Sequence, residues 1–277
     1  MVPKISLCCT MSKMLDVSVI VPTYHREREL LEAINSVRSQ AGVAFEIIVV
    51  DDSPEGSARD TVASVNDPRV RYVLRPDPSK GRPAKVRNDG AKLAHGRYLY
   101  FLDDDDMLEP GTLAELAKAL DAAPGAGMAF GVISPFGVNA DVLRHNQKYF
   151  AEARRIALKL RGPNQLSACL TFRSAILVCS AGMARRAFFE EVGGFDTEIP
   201  ICEDAELWAR ISHGRGHVFL DRTVVRYRTG APSLMHNLVE NDEKLHASYR
   251  RIQGKYRQAH GPLKFYATKI WAKILLR

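Results

Sequence analysis

The stretch Tyr98-Leu-Tyr-Phe-Leu-Asp-Asp-Asp-Asp-Met107 decides how this chain is read. Five uncharged, mostly aromatic or aliphatic residues in a row predict a buried strand. Four carboxylates follow with no spacer. Side chains of an extended segment alternate, so Asp103 and Asp105 share a face and Asp104 points away. Carboxylates this close raise one another's pKa, and a divalent cation relieves the conflict. Mg²⁺ or Mn²⁺ suits such a site, typically held by one or two carboxylates plus substrate phosphates. The competing reading is a solvated acidic turn before a helix opening at Pro110. The apolar run favours the metal, because it fixes the acidic residues at the end of a strand.

Working upstream, residues 17–21 (Val-Ser-Val-Ile-Val) and 46–50 (Glu-Ile-Ile-Val-Val) read as two more buried strands, and 70–74 as a third. Between them, Leu30, Leu31, Ile34 and Val37, then Ala58, Val62 and Val65, follow helical spacing. Pro83 opens a further helix carrying Val86, Ala91 and Leu93 to Gly96. Downstream, Leu113, Leu116 and Leu120 continue the alternation. Strand and helix in turn predict a parallel sheet with helices on its faces. Ligands of such sheets bind beyond the carboxyl ends of the strands. Polar residues after Val21, Val50 and Leu102 are therefore expected in one crevice. The second half is less regular: a strand at 175–179, a helix at 185–192, a helix at 203–212, and one or two strands over 216–228.

Two other acidic clusters matter. Asp51 and Asp52 end the second strand, where a carboxylate can accept a hydrogen bond from a nucleobase N–H or simply form an Asx turn. Glu203 and Asp204 open a helix. Acidic residues are favoured there by the helix dipole, and a carboxylate so placed can also deprotonate an acceptor hydroxyl.

The chain has 277 residues, 46% hydrophobic and 26% charged, which fits a globular protein and excludes collagen-like, coiled-coil or largely disordered chains. It contains no run of about 18 apolar residues, so a spanning helix is not expected, nor a polymerase that exports its own product. The first ten residues are too short for a secretory signal core. Cysteines at 8, 9, 169, 179 and 202 are odd in number and irregularly spaced, as in a reduced, cytoplasmic protein. The net charge of +7 is concentrated: residues 244–277 hold nine basic and no acidic side chains, leaving 30 basic against 32 acidic before them. A nucleic-acid partner is therefore not indicated. In that tail Tyr266, Ile270 and Ile274 recur every four residues beside Trp271 and Leu275, with Lys269, Lys273 and Arg277 on another face. A helix of about 22 Å is too short to cross a bilayer but able to lie on an anionic one. The alternative is docking on its own domain with the lysines in water.

The ordered set Val-Ser-Val-Ile-Val-Pro-Thr-Tyr24, Val-Val-Asp-Asp-Ser53, Gly81 with Arg87-Asn88, Phe-Leu-Asp-Asp-Asp-Asp106, Gly-Gly-Phe-Asp196 and Glu-Asp-Ala-Glu-Leu-Trp208 resembles the family 2 glycosyltransferases of the GT-A fold. The resemblance covers about residues 16–230. It implies an α/β, Rossmann-like, mostly parallel sheet flanked by helices, with a less regular acceptor half and a helical C-terminal tail. The implied division is an extension over 1–15, one domain over 16–240 (donor half 16–130, acceptor half 131–240) and a basic tail over 241–277. The implied reaction is an inverting, metal-dependent transfer of a sugar from a nucleotide sugar to an acceptor hydroxyl, in cell-surface polysaccharide, glycolipid or glycan synthesis. The donor would be a UDP-sugar first, with dTDP- or GDP-sugars as alternatives. The acceptor would be a glycan or lipid-linked, met at the cytoplasmic face of a membrane touched peripherally through 245–277. Carried over by residue, Pro22, Thr23, Tyr24, Asp51 and Asp52 would line the base pocket, and Arg87 would belong to the stretch closing over the nucleotide. Asp103 and Asp104 would face the nucleotide, Asp103 and Asp105 would hold Mg²⁺ or Mn²⁺, and Asp204 would be the catalytic base. Many members carry a His after the position of Tyr227-Arg228. Here His236 is displaced from it and reads as a surface residue.

Three rivals fit less well. A dinucleotide-binding dehydrogenase needs glycines after the first strand, and Pro22-Thr-Tyr-His-Arg26 has none. A nucleotidyltransferase would carry a glycine-rich basic loop there. A non-catalytic nucleotide-sugar module would not need Asp204. The basic segment 144–161 reads either as a face for an anionic acceptor or as a solvated helix.

Overall fold

The structure is a computed structural model that describes residues 15–173, 176–230 and 238–275. The expected extension apart from Leu15, with Cys8 and Cys9, lies outside the described residues, as do Ala175, His236 and Arg277. In chain order the elements are β1 (Val17–Thr23), α1 (Glu27–Arg38), β2 (Phe45–Asp51), α2 (Arg59–Ser64), β3 (Val70–Leu74), α3 (Pro83–Lys92), β4 (Tyr98–Phe101), β5 (Met107–Leu108), α4 (Thr112–Ala122), β6 (Met128–Phe136), α5 (Ala140–Ala157), α6 (Gln165–Phe172), β7 (Gly182–Arg185), α7 (Arg186–Glu191), α8 (Glu203–Ser212), β8 (His217–Arg228) and α9 (Leu238–Leu275).

All eight strands join one sheet in the order β3-β2-β1-β4-β7-β6-β8-β5. The first four are mutually parallel, with β1, β2 and β4 apolar and buried on both faces and β3 half-buried at the edge. β7 runs antiparallel to β4 and β6, and β8 runs parallel to β6, so the second half extends the same sheet. Register aligns the strand ends that matter. Thr23 lies beside Asp51, Ile20 lies beside Phe101, and the Leu102 N–H donates to the Ile20 carbonyl at 3.0 Å. The polar residues after β1, β2 and β4 therefore leave the sheet at one edge.

One expected strand is corrected. Ile176, Leu177 and Cys179 are buried and Val178 is half-buried, but the run pairs with no strand; a 3₁₀ turn at Cys179–Ala181 follows, and the strand begins only at Gly182. An apolar run signals burial, not a ladder partner, and this one is a buried approach to β7. The basic segment 144–161 falls mainly on α5, whose Asn139 side chain caps the first turn. Phe150, Ala153 and Ile156 face the core, while Arg144 pairs with Asp141, Arg154 with Asp221 and Arg155 with Glu152, so part of its charge is neutralised at the surface.

α9 is broken at Gly261 (φ 78°, ψ 164°), followed by Pro262. After the break the chain packs back on the domain. The Phe265 ring meets Phe172 edge-on at 5.3 Å, Tyr256 Oη and Thr268 Oγ1 are 3.1 Å apart, and Ala272 is fully buried. The sequence offered docking and membrane contact as alternatives. One face of this helix is docked, and the face bearing Leu263, Tyr266, Ile270 and Ile274 is exposed.

The glycine at 90 shows how tightly the sheet is covered. A Cβ there would lie 2.5 Å from Ile20 Cγ2 and 3.0 Å from Val50 Cγ2, so only a bare Cα lets α3 approach β1. Gly90→Ala should lower stability by about 1–2 kcal/mol, overpacking outweighing the gain in helix propensity. Gly125→Ala, facing open space, should change it by less than about 0.5 kcal/mol. Urea denaturation of both variants checks this; equal midpoints would contradict the packing argument.

Candidate active site

The acidic run after β4 alternates as its extended start requires. The Asp103 and Asp105 side chains are 29% and 14% exposed, against 8% for Asp104, and Asp106 is fully buried. Asp104 accepts from Thr23 Oγ1 at 2.8 Å and from Arg26 Nη1 at 3.1 Å, which ties β4 to the turn after β1. The same Arg26 nitrogen donates to Asp105 at 2.7 Å. Asp106 accepts from the Arg228 N–H at 2.9 Å, and Arg228 Nε donates to the Asp105 carbonyl at 2.8 Å. Burial pushes the Asp104 carboxyl up to about 7 against the opposing pull of Arg26. Burial and the Asp103 charge raise Asp105. Burial, then Asp105 and Asp103, raise Asp106 strongly. The crevice is short of positive charge.

Asp51 and Asp52 divide their work. Asp51 is fully buried, and both its oxygens are taken: by Ser53 N and Oγ at 2.9 and 2.7 Å, by Ala58 N at 2.9 Å and by Tyr72 Oη at 2.9 Å. It holds the loop after β2 and presents no spare oxygen to a ligand. Asp52 accepts from Arg75 Nη1 at 2.6 Å and from Ser79 N and Oγ at 2.7 and 2.5 Å, drawing the loop before α3 over the sheet edge. Its backbone N–H donates to the Thr23 carbonyl at 2.9 Å. Pro22 is half-buried, Thr23 is buried, and Tyr24 is exposed at the rim with the His25 ring packed edge-on at 4.3 Å.

Arg87 sits on α3 itself, not on a mobile loop, and is buried. One fork nitrogen donates to Asp103 Oδ1 and the other to Glu203 Oε1, each at 2.6 Å. It thus clamps the end of β4 to the start of α8. Cys202, in the left-handed region at φ 61°, precedes that helix. Asp204 follows Glu203, keeps partial exposure, and accepts from the Ala205 N–H at 2.7 Å. Burial and the neighbouring Glu203 push its carboxyl up to about 7, with Arg87 opposing.

The contacts form two linked strings: Asp52 to Thr23 to Asp104 to Arg26 to Asp105, and Asp103 to Arg87 to Glu203 beside Asp204. Sequence reasoning missed two members. Arg26 stands in the turn Pro22-Thr-Tyr-His-Arg26, whose one informative feature in sequence is its lack of glycine. Tyr227 has its phenol raised by burial and by the charges of Asp106, Asp103, Asp105 and Asp204, so it stands between the acidic run after β4 and the acidic start of α8. No sequence signal marks it, because strand β8 reaches the site only through the sheet order.

Asp103 and Asp105 fit Mg²⁺ or Mn²⁺ in ligand type, and their charges lie close enough for Asp103 to raise Asp105. Among the described residues no group of three His, Cys, Asp or Glu side chains is arranged to hold a metal ion. These two carboxylates would therefore need phosphate or water oxygens to complete a shell, and a cation there would compete with Arg26 and Arg87.

Comparison with known proteins agrees with this geometry. The family model "Glycosyl transferase family 2" matches residues 18–193. The succinoglycan biosynthesis protein ExoO of Rhizobium meliloti is 34% identical over 163 residues, 58% of this chain and 45% of that protein. A GalNAc(5)-diNAcBac-PP-undecaprenol beta-1,3-glucosyltransferase of Campylobacter jejuni is 38% identical over 103 residues, 36% of this chain and 33% of that protein. These matches span under half the length of each relative. The fold is that of S. aureus TarS 1-349 in complex with UDP-GlcNAc (TM-score 0.66, 21% identity, 95% of this chain and 70% of that one). It is equally that of the mannosyltransferase PcManGT from Pyrobaculum calidifontis in complex with GDP-Man and Mn²⁺ (TM-score 0.64, 19% identity, 96% and 70%). With a family match over more than half its length, a GT-A-like sheet and its acidic residues gathered at one edge, this chain belongs to glycosyl transferase family 2.

Proposed function

We propose that the protein is an inverting glycosyltransferase that moves a sugar from a nucleotide-diphosphate sugar to an acceptor hydroxyl, with Asp204 as general base. The observation that carries this reading is the convergence of Asp103, Arg87, Glu203 and Asp204, which brings a candidate phosphate-side carboxylate and a candidate base together. Residues 16–240 would act as one catalytic unit, with the donor bound over 16–130 and the acceptor over 131–240. Asp52 and the exposed Tyr24 would receive the base, Thr23 and Pro22 would shape the pocket, and Asp51 would act through the loop it holds. Asp103 and Asp105 would hold Mg²⁺ or Mn²⁺, and Asp104 would fix their position from behind. The cation would offset charge developing on the leaving diphosphate. The donors in the TarS and PcManGT complexes support a UDP- or GDP-sugar. The relatives named for succinoglycan and undecaprenol-linked glycans support a polysaccharide or lipid-linked acceptor, met at a membrane surface.

The proposed chemistry balances within the site. The acceptor hydroxyl gives its proton to the Asp204 carboxylate as its oxygen bonds the anomeric carbon. The bond from that carbon to the diphosphate oxygen breaks on the opposite face, inverting the centre, and the nucleoside diphosphate leaves. A base whose pKa lies near the working pH is matched to this task.

Asp204→Asn should retain donor binding and lose turnover by about 10²- to 10⁴-fold; unchanged turnover in a direct transfer assay would refute the role. Because the ionised form is the active one, wild-type kcat/KM should fall as pH drops below about 7, the value to which burial and Glu203 bring Asp204. A flat profile from pH about 8 to about 5 would argue against it. Asp105→Ala should abolish the Mn²⁺-dependent part of donor binding. Calorimetric titration of UDP- and GDP-sugars with and without Mn²⁺ tests this, and identical curves for variant and wild type would remove the metal assignment.

A further inference from the structure

The segment after the Gly261–Pro262 break carries two opposed apolar faces. At about 100° per residue, Phe265, Thr268 and Ala272 fall on the side that packs on the domain, and Phe265 and Ala272 are buried. Leu263, Ala267, Ile270 and Ile274 fall on the opposite side. Leu263 is 89%, Ile270 60% and Ile274 66% exposed. Tyr266 borders this stripe on one flank and Trp271 on the other, both exposed. Beyond Tyr266 stand Lys269 and Lys273; beyond Trp271 stands Lys264. A helix needs one apolar face to dock on its own protein, and that face is already used. The second is bordered by interface-seeking aromatics and then by cations, the order expected for a helix lying in the headgroup plane.

Charge separates the two halves of α9. Before the break, Arg251 and Lys255 pair with Asp196, and Lys255 also pairs with Glu206, so these cations fasten the helix to the domain. After it, Lys264 and Lys273 have no ion-pair partner among the described residues, and no acidic residue occurs from 244 onward. Facing two copies of the stripe towards each other would bring their lysine rows together, which disfavours self-association. No helix among the described residues is long and apolar enough to cross a membrane.

We infer that the outer face of residues 263–274 is a docking surface for an anionic lipid bilayer, with Leu263, Ile270 and Ile274 entering the acyl boundary and Lys264 and Lys273 at the headgroups. This narrows the contact surface from 245–277 to one face of its last part. It deepens the proposed membrane-surface acceptor and rests on that reading for its purpose, but not for its test.

The full chain is sedimented with vesicles of phosphatidylcholine alone and of phosphatidylcholine with phosphatidylglycerol, without donor or acceptor. Binding is expected to the anionic vesicles, weakened by salt, with a blue shift in Trp271 emission. Ile270→Glu and Ile274→Glu should each reduce it about tenfold or more. Lys264→Ala with Lys273→Ala should reduce it several-fold on anionic vesicles only. These side chains are exposed, so thermal unfolding should match wild type. Absence of binding to either vesicle overturns the inference, as does binding unchanged in the Glu variants. So does a solution dimer that those variants dissociate without any vesicle binding. Failure here leaves the Asp204 assignment untouched, and loss of transfer in Asp204→Asn leaves vesicle binding unchanged.

Discussion

The arrangement depends on one buried guanidinium. Arg87 joins Asp103 at the end of β4 to Glu203 at the start of α8, at 2.6 Å on each side. Those residues are a hundred positions apart in sequence, and no ladder hydrogen bond sets the distance between them. Arginine can do this because its planar fork reaches two carboxylates at once and stays charged when dry; a lysine offers one point charge on a flexible stem. Burying such a group costs several kcal/mol, and the pairs repay it only when geometry is good. Removing either partner would strand a charge in the interior. The position of Asp204, one residue after Glu203, is therefore tied to the same electrostatic balance that holds the acidic strand end.

That balance is not complete. Burial first, and then the excess of Asp103 to Asp106, Glu203 and Asp204 over the cations that touch them, raise the pKa values of Asp104, Asp105, Asp106 and Asp204. Protons and an added cation are alternative answers to the same deficit. The resident arginines hold the side chains near one another without satisfying the whole charge. A crevice built in this way has its ligand geometry set before any ligand arrives, the general route by which a site avoids reorganising during reaction.

The first half of the fold was legible because its signals are local. Each of β1 to β4 is a short β-branched or aromatic run stopped by Pro or Asp, and parallel pairing then places their ends together without further information. The acidic groups at those ends were legible for the same reason. The second half was not. β6 runs on through Gly131 and Pro135 with a register shift, so it shows no clean period. α6 is apolar nearly all round, and its helical stripe is invisible because every face is covered. The run at 176–179 misled because burial and strand pairing give the same composition. Arg26 and Tyr227 were unreadable as site members, since an arginine in a turn and a tyrosine in a strand acquire their roles only from what the fold brings beside them.

The adjacent carboxylates of β2 and β4 show how far the alternation rule carries. Asp51 and Asp52 take separate sets of partners, whereas Asp104 and Asp105 share one Arg26 nitrogen and differ in exposure. Asp51 is spent on Ser53, Ala58 and Tyr72, and Asp104 on Thr23 and Arg26. Without those inward groups the loops that carry their neighbours would be free to move. Sequence spacing alone marks all of them as candidates of equal standing. Burial and hydrogen bonding separate a carboxylate that builds the wall from one that faces the opening, and a ligand reaching Asp52 must share it with Arg75 and Ser79. This end of the sheet is therefore not a bare row of acids but a set of carboxylates already engaged in holding the loops around it.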